Sequence, residues 1–203
     1  MEKQGHLIVI SGPSGVGKGT LVDELIRQNP DLKISISATT RKKRPRELDG
    51  KNYFFLTEDQ FSQMIDEGQF IEYANVHGHY YGTPKKFVEE QIQMGFDVIL
   101  EIDVQGAEQV RNNFKEGVQI FILPPHKEDL VSRIRHRGAE TEEEIAIRMR
   151  TAEEEIKKMV DYDYAVINDQ IPACAEKILH ILDAENLRVN HQIMEKYWRE
   201  FHD

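Results

Sequence analysis

Residues 12–20 read Gly12-Pro13-Ser14-Gly15-Val16-Gly17-Lys18-Gly19-Thr20, directly after the apolar run Leu7-Ile8-Val9-Ile10. A chain that wraps a phosphate must turn backbone N–H groups inward, and glycines reach the required dihedrals without side-chain obstruction. Lys18 brings a full positive charge to the β- and γ-phosphates of a nucleotide, and a helix starting near Leu21 adds the partial charge of its N-terminus. Glycines could also mark a plain turn, but the strand-loop-helix setting is the one a nucleotide phosphate site needs. The residue after Lys18 is Gly19, where such loops ordinarily carry the hydroxyl that meets Mg2+. Thr20 comes one place later, so the Mg2+ accompanying ATP is expected to rest mainly on phosphates and water.

Three further sets of residues have types suited to phosphate chemistry. Arg41, Lys42, Lys43, Arg44, Arg46 and Lys51 form a basic cluster in a chain of net charge −10. Arginine offers a planar fork for bidentate phosphate contacts, whereas a solvated basic loop is the plain alternative. Glu101 and Asp103 lie two apart at the end of an apolar run, so a strand over 98–103 turns both to one face. Acids at a strand's C-terminal end sit where ligands gather in α/β sheets. Asp103 could instead cap the helix that follows. Arg133 and Arg137 are four apart on a helix ending at Gly138, with Arg148 in the next helix. The ordinary account is also good: cations near a helix C-terminus gain about 0.3–1 kcal/mol, and the Glu144–Arg148 spacing about 0.2–0.5 kcal/mol. His77 and His79 flank Gly78, a spacing too common to imply a metal site.

Short β-branched runs predict strands at 7–11, 31–37, 98–103, 119–123 and 164–168. Their apolar residues are nearly continuous, as in strands buried on both faces of a parallel sheet. Helical patterns fall at 20–28, 107–114, 127–137, 141–160 and 173–201, the last in two pieces. Thr141 with Glu144 reads as a capping box, and Ile145, Met149, Ala152, Ile156 and Met159 follow at helical spacing. The alternation predicts an α/β, doubly wound fold. Two stretches break the rhythm: a polar segment from residue 37 to 90 carrying aromatic pairs, which reads as a small strand-containing insertion, and a charged helical hairpin from 126 to 155.

Thr39-Thr40-Arg41, Arg44, Glu47, Gly50 and Tyr53-Phe54-Phe55 resemble the signature of the guanylate kinases, nucleoside-monophosphate kinases of the P-loop superfamily. Gly12–Thr20, Tyr80-Tyr81-Gly82-Thr83, Glu101 to Gly106 and Arg137-Gly138 resemble the family in order and spacing, across nearly the whole chain. The GKGT ending of the phosphate loop resembles several monophosphate kinases, adenylate kinases among them. The resemblance implies a core of residues 1–36, 91–125 and 156–203, a GMP-binding subdomain at 37–90 and a lid at 126–155. It implies that Arg41, Arg44, Tyr53 and Tyr81 hold the GMP phosphate, and that Ser37, Glu72 and Thr83 read the guanine edge. Taken alone, Glu72 in Phe70-Ile71-Glu72-Tyr73 reads as an ordinary outward strand residue. Glu101 and Asp103 would lie near GMP and Mg2+, and Arg133, Arg137 and Arg148 in the lid, the last two over the transferring phosphoryl group.

The implied activity is ATP + GMP to ADP + GDP, with ATP on the Gly12–Thr20 loop and no catalytic histidine among the eight present. The phosphate loop does not report the acceptor base, so a kinase for another monophosphate is one alternative. A non-catalytic, protein-binding module related to guanylate kinases is another, against which stand Lys18, Arg137 and Arg148. The acidic balance argues against a nucleic-acid partner. Cys174 is the single cysteine and the leading apolar run is short, so a cytoplasmic protein without membrane contact is expected.

Overall fold

The apolar run after the N-terminus forms β1 (Leu7–Ser11), and the glycine-rich loop leads into α1 (Lys18–Gln28) and a short β2 (Lys33–Ile34). There follow β3 (Ala38–Thr39), β4 (Phe54–Phe55), α2 (Glu58–Asp66), β5 (Phe70–Val76), β6 (His79–Pro84) and α3 (Lys85–Gln93). The remainder is β7 (Val98–Glu101), α4 (Val104–Asn113), β8 (Val118–Leu123), α5 (Lys127–His136), α6 (Glu142–Lys157), a 3-10 turn at Lys158–Asp161, β9 (Tyr164–Ile167), α7 (Ile171–Glu185) and α8 (His191–Glu200). This computed structural model describes residues 5–76, 78–114, 117–136, 141–189 and 191–202.

Five strands form one sheet in the order β2-β7-β1-β8-β9, and all its pairings are parallel. Side chains alternate along a strand, so β1 feeds two cores at once. Ile8 and Ile10 pack with Leu21 and Leu25 of α1 and Ile178 of α7. Leu7 and Val9 pack with Val88 and Ile92 of α3 and Ala107 and Val110 of α4. The sheet is therefore doubly wound, as the strand-helix alternation predicted. Helix α3 crosses position 90, and its buried Val88 belongs to the main core.

A second sheet, ordered β4-β3-β6-β5, is built from the polar segment. It is mostly antiparallel, with β3 and β4 parallel. Ala38, Phe61 and Phe70 make its small core, with Phe61 stacked on Phe70 at 4.3 Å between ring centroids. Helix α2 was not anticipated in this stretch. Its capping box, Thr57 with Gln60, stands in the sequence ahead of Phe61, Met64 and Ile65 at helical spacing.

Two predicted boundaries are corrected. The strand expected over 98–103 stops at Glu101, because Asp103 leaves the sheet to cap α4, its carboxylate accepting from the Gly106 N–H at 2.8 Å. Glu101 and Asp103 are thus not two residues of one strand face. The strand expected over 31–37 is reduced to Lys33–Ile34. The capping box of α6 forms as expected, with the Thr141 N–H donating to Glu144 at 2.7 Å. Ile145, Met149 and Ala152 close a third apolar cluster against Leu130 and Ile134 of α5.

Candidate active site

The loop between β1 and α1 lies at the C-terminal edge of the parallel sheet. Gly12 has φ 145°, and a side chain there would run into the Ile122 carbonyl of the neighbouring strand. Gly17 caps α1 at φ 96°, and a Cβ would stand 3.0 Å from Asn168 Nδ2. Both positions admit only glycine without rearrangement. Lys18 Nζ donates to the Gly12 carbonyl at 2.7 Å and lies 3.4 Å from the Pro13 carbonyl, so its charge is folded back over the loop.

Two side chains from elsewhere clasp this loop. Arg133 NH1 and Asn168 Nδ2 both donate to the Val16 carbonyl, at 2.8 and 2.9 Å. Asn168, the residue after β9, is buried, and its sequence neighbours imply no role for it. Its one signal is a polar residue closing an apolar run, the place where α/β sheets present ligand-binding groups. Arg133 also reaches the Asn168 carbonyl at 3.3 Å, so it braces the loop from α5. A third arrival is Glu155, near the end of α6. Burial pushes its carboxyl pKa up, opposed by the Lys18 charge and the Ser14 backbone N–H.

In the basic cluster, Arg41 is held as a fork. Its NH1 and NH2 donate to Glu47 at 3.1 and 2.8 Å, and NH1 also donates to the Lys42 carbonyl at 2.9 Å. The guanidinium lies near the Tyr53 and Phe55 rings, 5.4 and 5.8 Å from their centroids. Tyr53 and Tyr81 meet edge to face at 6.0 Å. Glu47 also accepts from the Arg44 backbone N–H at 2.8 Å, so one carboxylate organises both arginine positions. Its own pKa is lowered, first by the Arg41 hydrogen bonds.

Glu72 does not point outward into solvent. It is 7% exposed, and the fully buried Thr83 donates to its Oε1 at 2.7 Å. Burial raises the Glu72 pKa, the Thr83 hydrogen bond opposes this, and the nearby Asp103 charge raises it further. The other carboxylate oxygen faces Gly106, where a Cβ would come within 3.2 Å. Ser37 precedes β3, its carbonyl paired with Phe54 N–H. Glu101, at the end of β7, places both carboxylate oxygens 3.6 Å from the position a Gly19 Cβ would take. Arg148 is exposed on α6, and Arg137 lies outside the described residues, as does His77.

The β7–α4 junction thus touches both regions: Glu101 borders the phosphate loop, and Gly106 borders Glu72. Among the described residues no group of three or more His, Cys, Asp or Glu side chains is arranged to hold a metal ion. A parallel sheet with a lysine-bearing phosphate loop, beside a second sheet carrying an arginine fork and a buried carboxylate, defines a nucleotide phosphotransferase of the P-loop class.

Comparison with known proteins narrows the class. The sequence profile of the family "Guanylate kinase" matches residues 4–185. The chain is 55% identical to the guanylate kinase of Caldanaerobacter subterraneus subsp. tengcongensis over 190 residues, 94% of this chain and 92% of the relative. It is 47% identical to that of Clostridioides difficile, over 98% of both chains. The crystal structure of guanylate kinase from Anaplasma phagocytophilum superposes with a TM-score of 0.71 at 33% identity, covering 93% of this chain and 89% of the other. The chain belongs to the guanylate kinase family.

Proposed function

We propose that the protein transfers the γ-phosphoryl group of ATP to the phosphate of GMP by in-line displacement. The observation that carries this is the β7–α4 junction, which borders the phosphate loop through Glu101 and, through Gly106, a buried carboxylate that accepts from Thr83. Residues 12–20 cradle the ATP phosphates, and Lys18 exchanges its carbonyl contacts for phosphate oxygens. Arg41, Arg44, Tyr53 and Tyr81 take the GMP phosphate. That phosphate is already anionic near neutral pH, so positioning and charge stabilisation carry the catalysis without a general base. Arg133 secures the loop, and Arg137 and Arg148 neutralise charge on the transferring group when residues 126–155 close over it. Residues 37–90 serve as the GMP-binding part.

The donor set suits Mg2+ held by ATP phosphates and water, with Glu101 and Asp103 orienting that water, since Gly19 offers no hydroxyl. Bound there, the ion would polarise the phosphate oxygens. Among the described residues no helix is long and apolar enough to cross a membrane, and the lone cysteine, Cys174, is buried; a cytoplasmic enzyme accords with both.

Guanine presents donors at N1 and N2, which a carboxylate accepts, whereas adenine turns a lone pair at N1 toward it. Glu72 therefore selects GMP, with Thr83 and Ser37 completing the edge. The test is kcat/KM for GMP, IMP and AMP with the wild type, Glu72→Ala and Glu72→Gln. GMP use falls roughly tenfold to more than a hundredfold in the variants, from a charge-assisted hydrogen bond worth about 1.5–3 kcal/mol and the guanine donors left unpaired. Equal wild-type use of AMP and GMP, or a Glu72→Ala variant unchanged toward GMP, removes the guanine assignment and leaves phosphoryl transfer standing.

A further inference from the structure

In the sheet order β4-β3-β6-β5, strand β5 is an edge, and it carries Glu72. An edge strand leaves alternate backbone N–H and C=O groups without a neighbouring strand. Here a helix supplies the partners. Gln109 of α4 accepts from the Tyr73 N–H at 3.1 Å and donates to the Tyr73 carbonyl at 3.0 Å. Its side-chain amide makes the donor-acceptor pair that a strand's peptide group would make. Asn113 donates to the Ile71 carbonyl at 2.9 Å. The two residues flanking Glu72 are thus both bonded to α4. Gly106, Gln109 and Asn113 follow one another at three and four residues, so they share one helix face. Gly106 is the member opposite the Glu72 carboxylate, where a Cβ would stand 3.2 Å from Oε2.

Helix α4 begins three residues after β7 ends, capped by Asp103, and Glu101 at that strand end borders the phosphate loop. The bonds from α4 therefore refer the position of Glu72 to the ATP end of the molecule, not to its own small sheet alone. On the reading of Glu72 as the guanine acceptor, we infer that the Gly106–Gln109–Asn113 face of α4 is a positioning device for base selection. Gln109 and Asn113 fix the backbone on either side of Glu72, and Gly106 leaves room for its carboxylate. None of the three needs to touch the nucleotide.

The decisive measurement is a double-mutant cycle. Gln109→Ala and Gly106→Ala are each made in the wild type and in Glu72→Gln, with kcat/KM for GMP and AMP, the KM for ATP and the melting temperature recorded. In the wild type each lowers kcat/KM for GMP about tenfold, mainly through KM, because a displaced acceptor forfeits a charge-assisted hydrogen bond. The KM for ATP stays unchanged and the ratio of GMP to AMP use narrows. Gly106→Ala leaves both Gln109 hydrogen bonds in place and crowds only Glu72 Oε2 and Ile102, so it tests the idea even if Gln109→Ala folds poorly. In Glu72→Gln the same substitutions cost less than about twofold, because the group they position is already impaired. Equal losses in both backgrounds, or GMP use unchanged by both substitutions, overturn the inference. The underlying reading fails separately and visibly, as Glu72→Gln alone leaving GMP use intact, and that result overturns the inference with it.

Discussion

The phosphate loop and the pocket around Glu72 solve different recognition problems with different parts of the chain. The loop is contiguous, and its working groups are mainly backbone N–H groups whose direction is set by glycine dihedrals. Side chains arriving from outside, Arg133 and Asn168, both donate to its Val16 carbonyl and act as braces. The Glu72 pocket is assembled from β5, β6 and α4, and its specificity resides in side chains. A phosphate is the same on every nucleotide, so a local backbone nest suffices. A base edge has a donor-acceptor pattern, so the groups reading it must be held in register from separate elements.

The largest expected effect breaks the loop half of this comparison. Lys18→Ala removes the loop's full positive charge and should lower kcat by about 10²–10³-fold or more. The fold should survive, because the loop's shape comes from Gly12, Gly17 and the Val16 clasp and not from the Lys18 stem. Steady-state assays beside a thermal melt check this. Near-normal turnover with an unchanged melting temperature would take Lys18 out of the nucleotide site.

Arg41→Lys probes the acceptor half with a smaller effect. The guanidinium commits its terminal NH1 and NH2 fork to Glu47 and another NH1 hydrogen to the Lys42 carbonyl, and its second edge, with Tyr81 as a neighbouring partner, is the one that meets a phosphate. An ammonium has no second edge, so the charge survives while one of the two attachments is lost. The KM for GMP should rise about ten- to a hundredfold with the KM for ATP nearly constant. A loss confined to ATP would put Arg41 in the wrong half of the site.

The same contrast explains which parts could be read from the sequence. The phosphate loop was legible because its chemistry sits in nine consecutive residues, and β1 because four apolar residues in a row precede Ser11 and the strand is buried on both faces. The capping box of α6 was legible for the same local reason. Glu72 looked like a surface strand residue, since neighbours in sequence say nothing of Thr83 and Gly106 closing over it; only the family resemblance pointed inward. Asn168, Glu47 and Gln109 act through partners 152, 6 and 36 positions away. No periodicity marks the two distant pairs, and Glu47 stands in the family signature with no role that its own neighbours imply. Asp103 is the opposite case: two local roles fall on one residue, and because the strand ends two residues before it, its Oδ1 takes up the cap of α4.

The smallest effect concerns stability, and it separates a group kept for recognition from one kept for folding. Burial, reinforced by the Asp103 charge, raises the Glu72 pKa above its ordinary value near 4.5, against the opposing hydrogen bond from Thr83. The folded protein therefore holds the Glu72 proton more tightly than the unfolded chain does. As pH rises past 4.5 the unfolded chain releases its proton first, so stability falls until the folded carboxyl also ionises. Above that range the group is thus a net cost to the empty protein. Glu72→Gln keeps a side-chain oxygen for Thr83 and removes the charge, so without nucleotide it should melt higher than wild type at pH 7.5, by about 2–4 °C for each kcal/mol recovered. The gap should shrink as the pH is lowered toward 4.5, because the buried wild-type carboxyl takes up its proton at a higher pH than an ordinary glutamate does. GMP at a fixed concentration above the wild-type KM should reverse the order at pH 7.5, because binding stabilises the carboxylate form more strongly than the weaker-binding variant. Melts at two pH values, with and without GMP, give the four numbers required. A Glu72→Gln variant that melts lower than wild type at neutral pH without nucleotide would mean the carboxylate is a structural anchor, and that the pocket was built around it for folding.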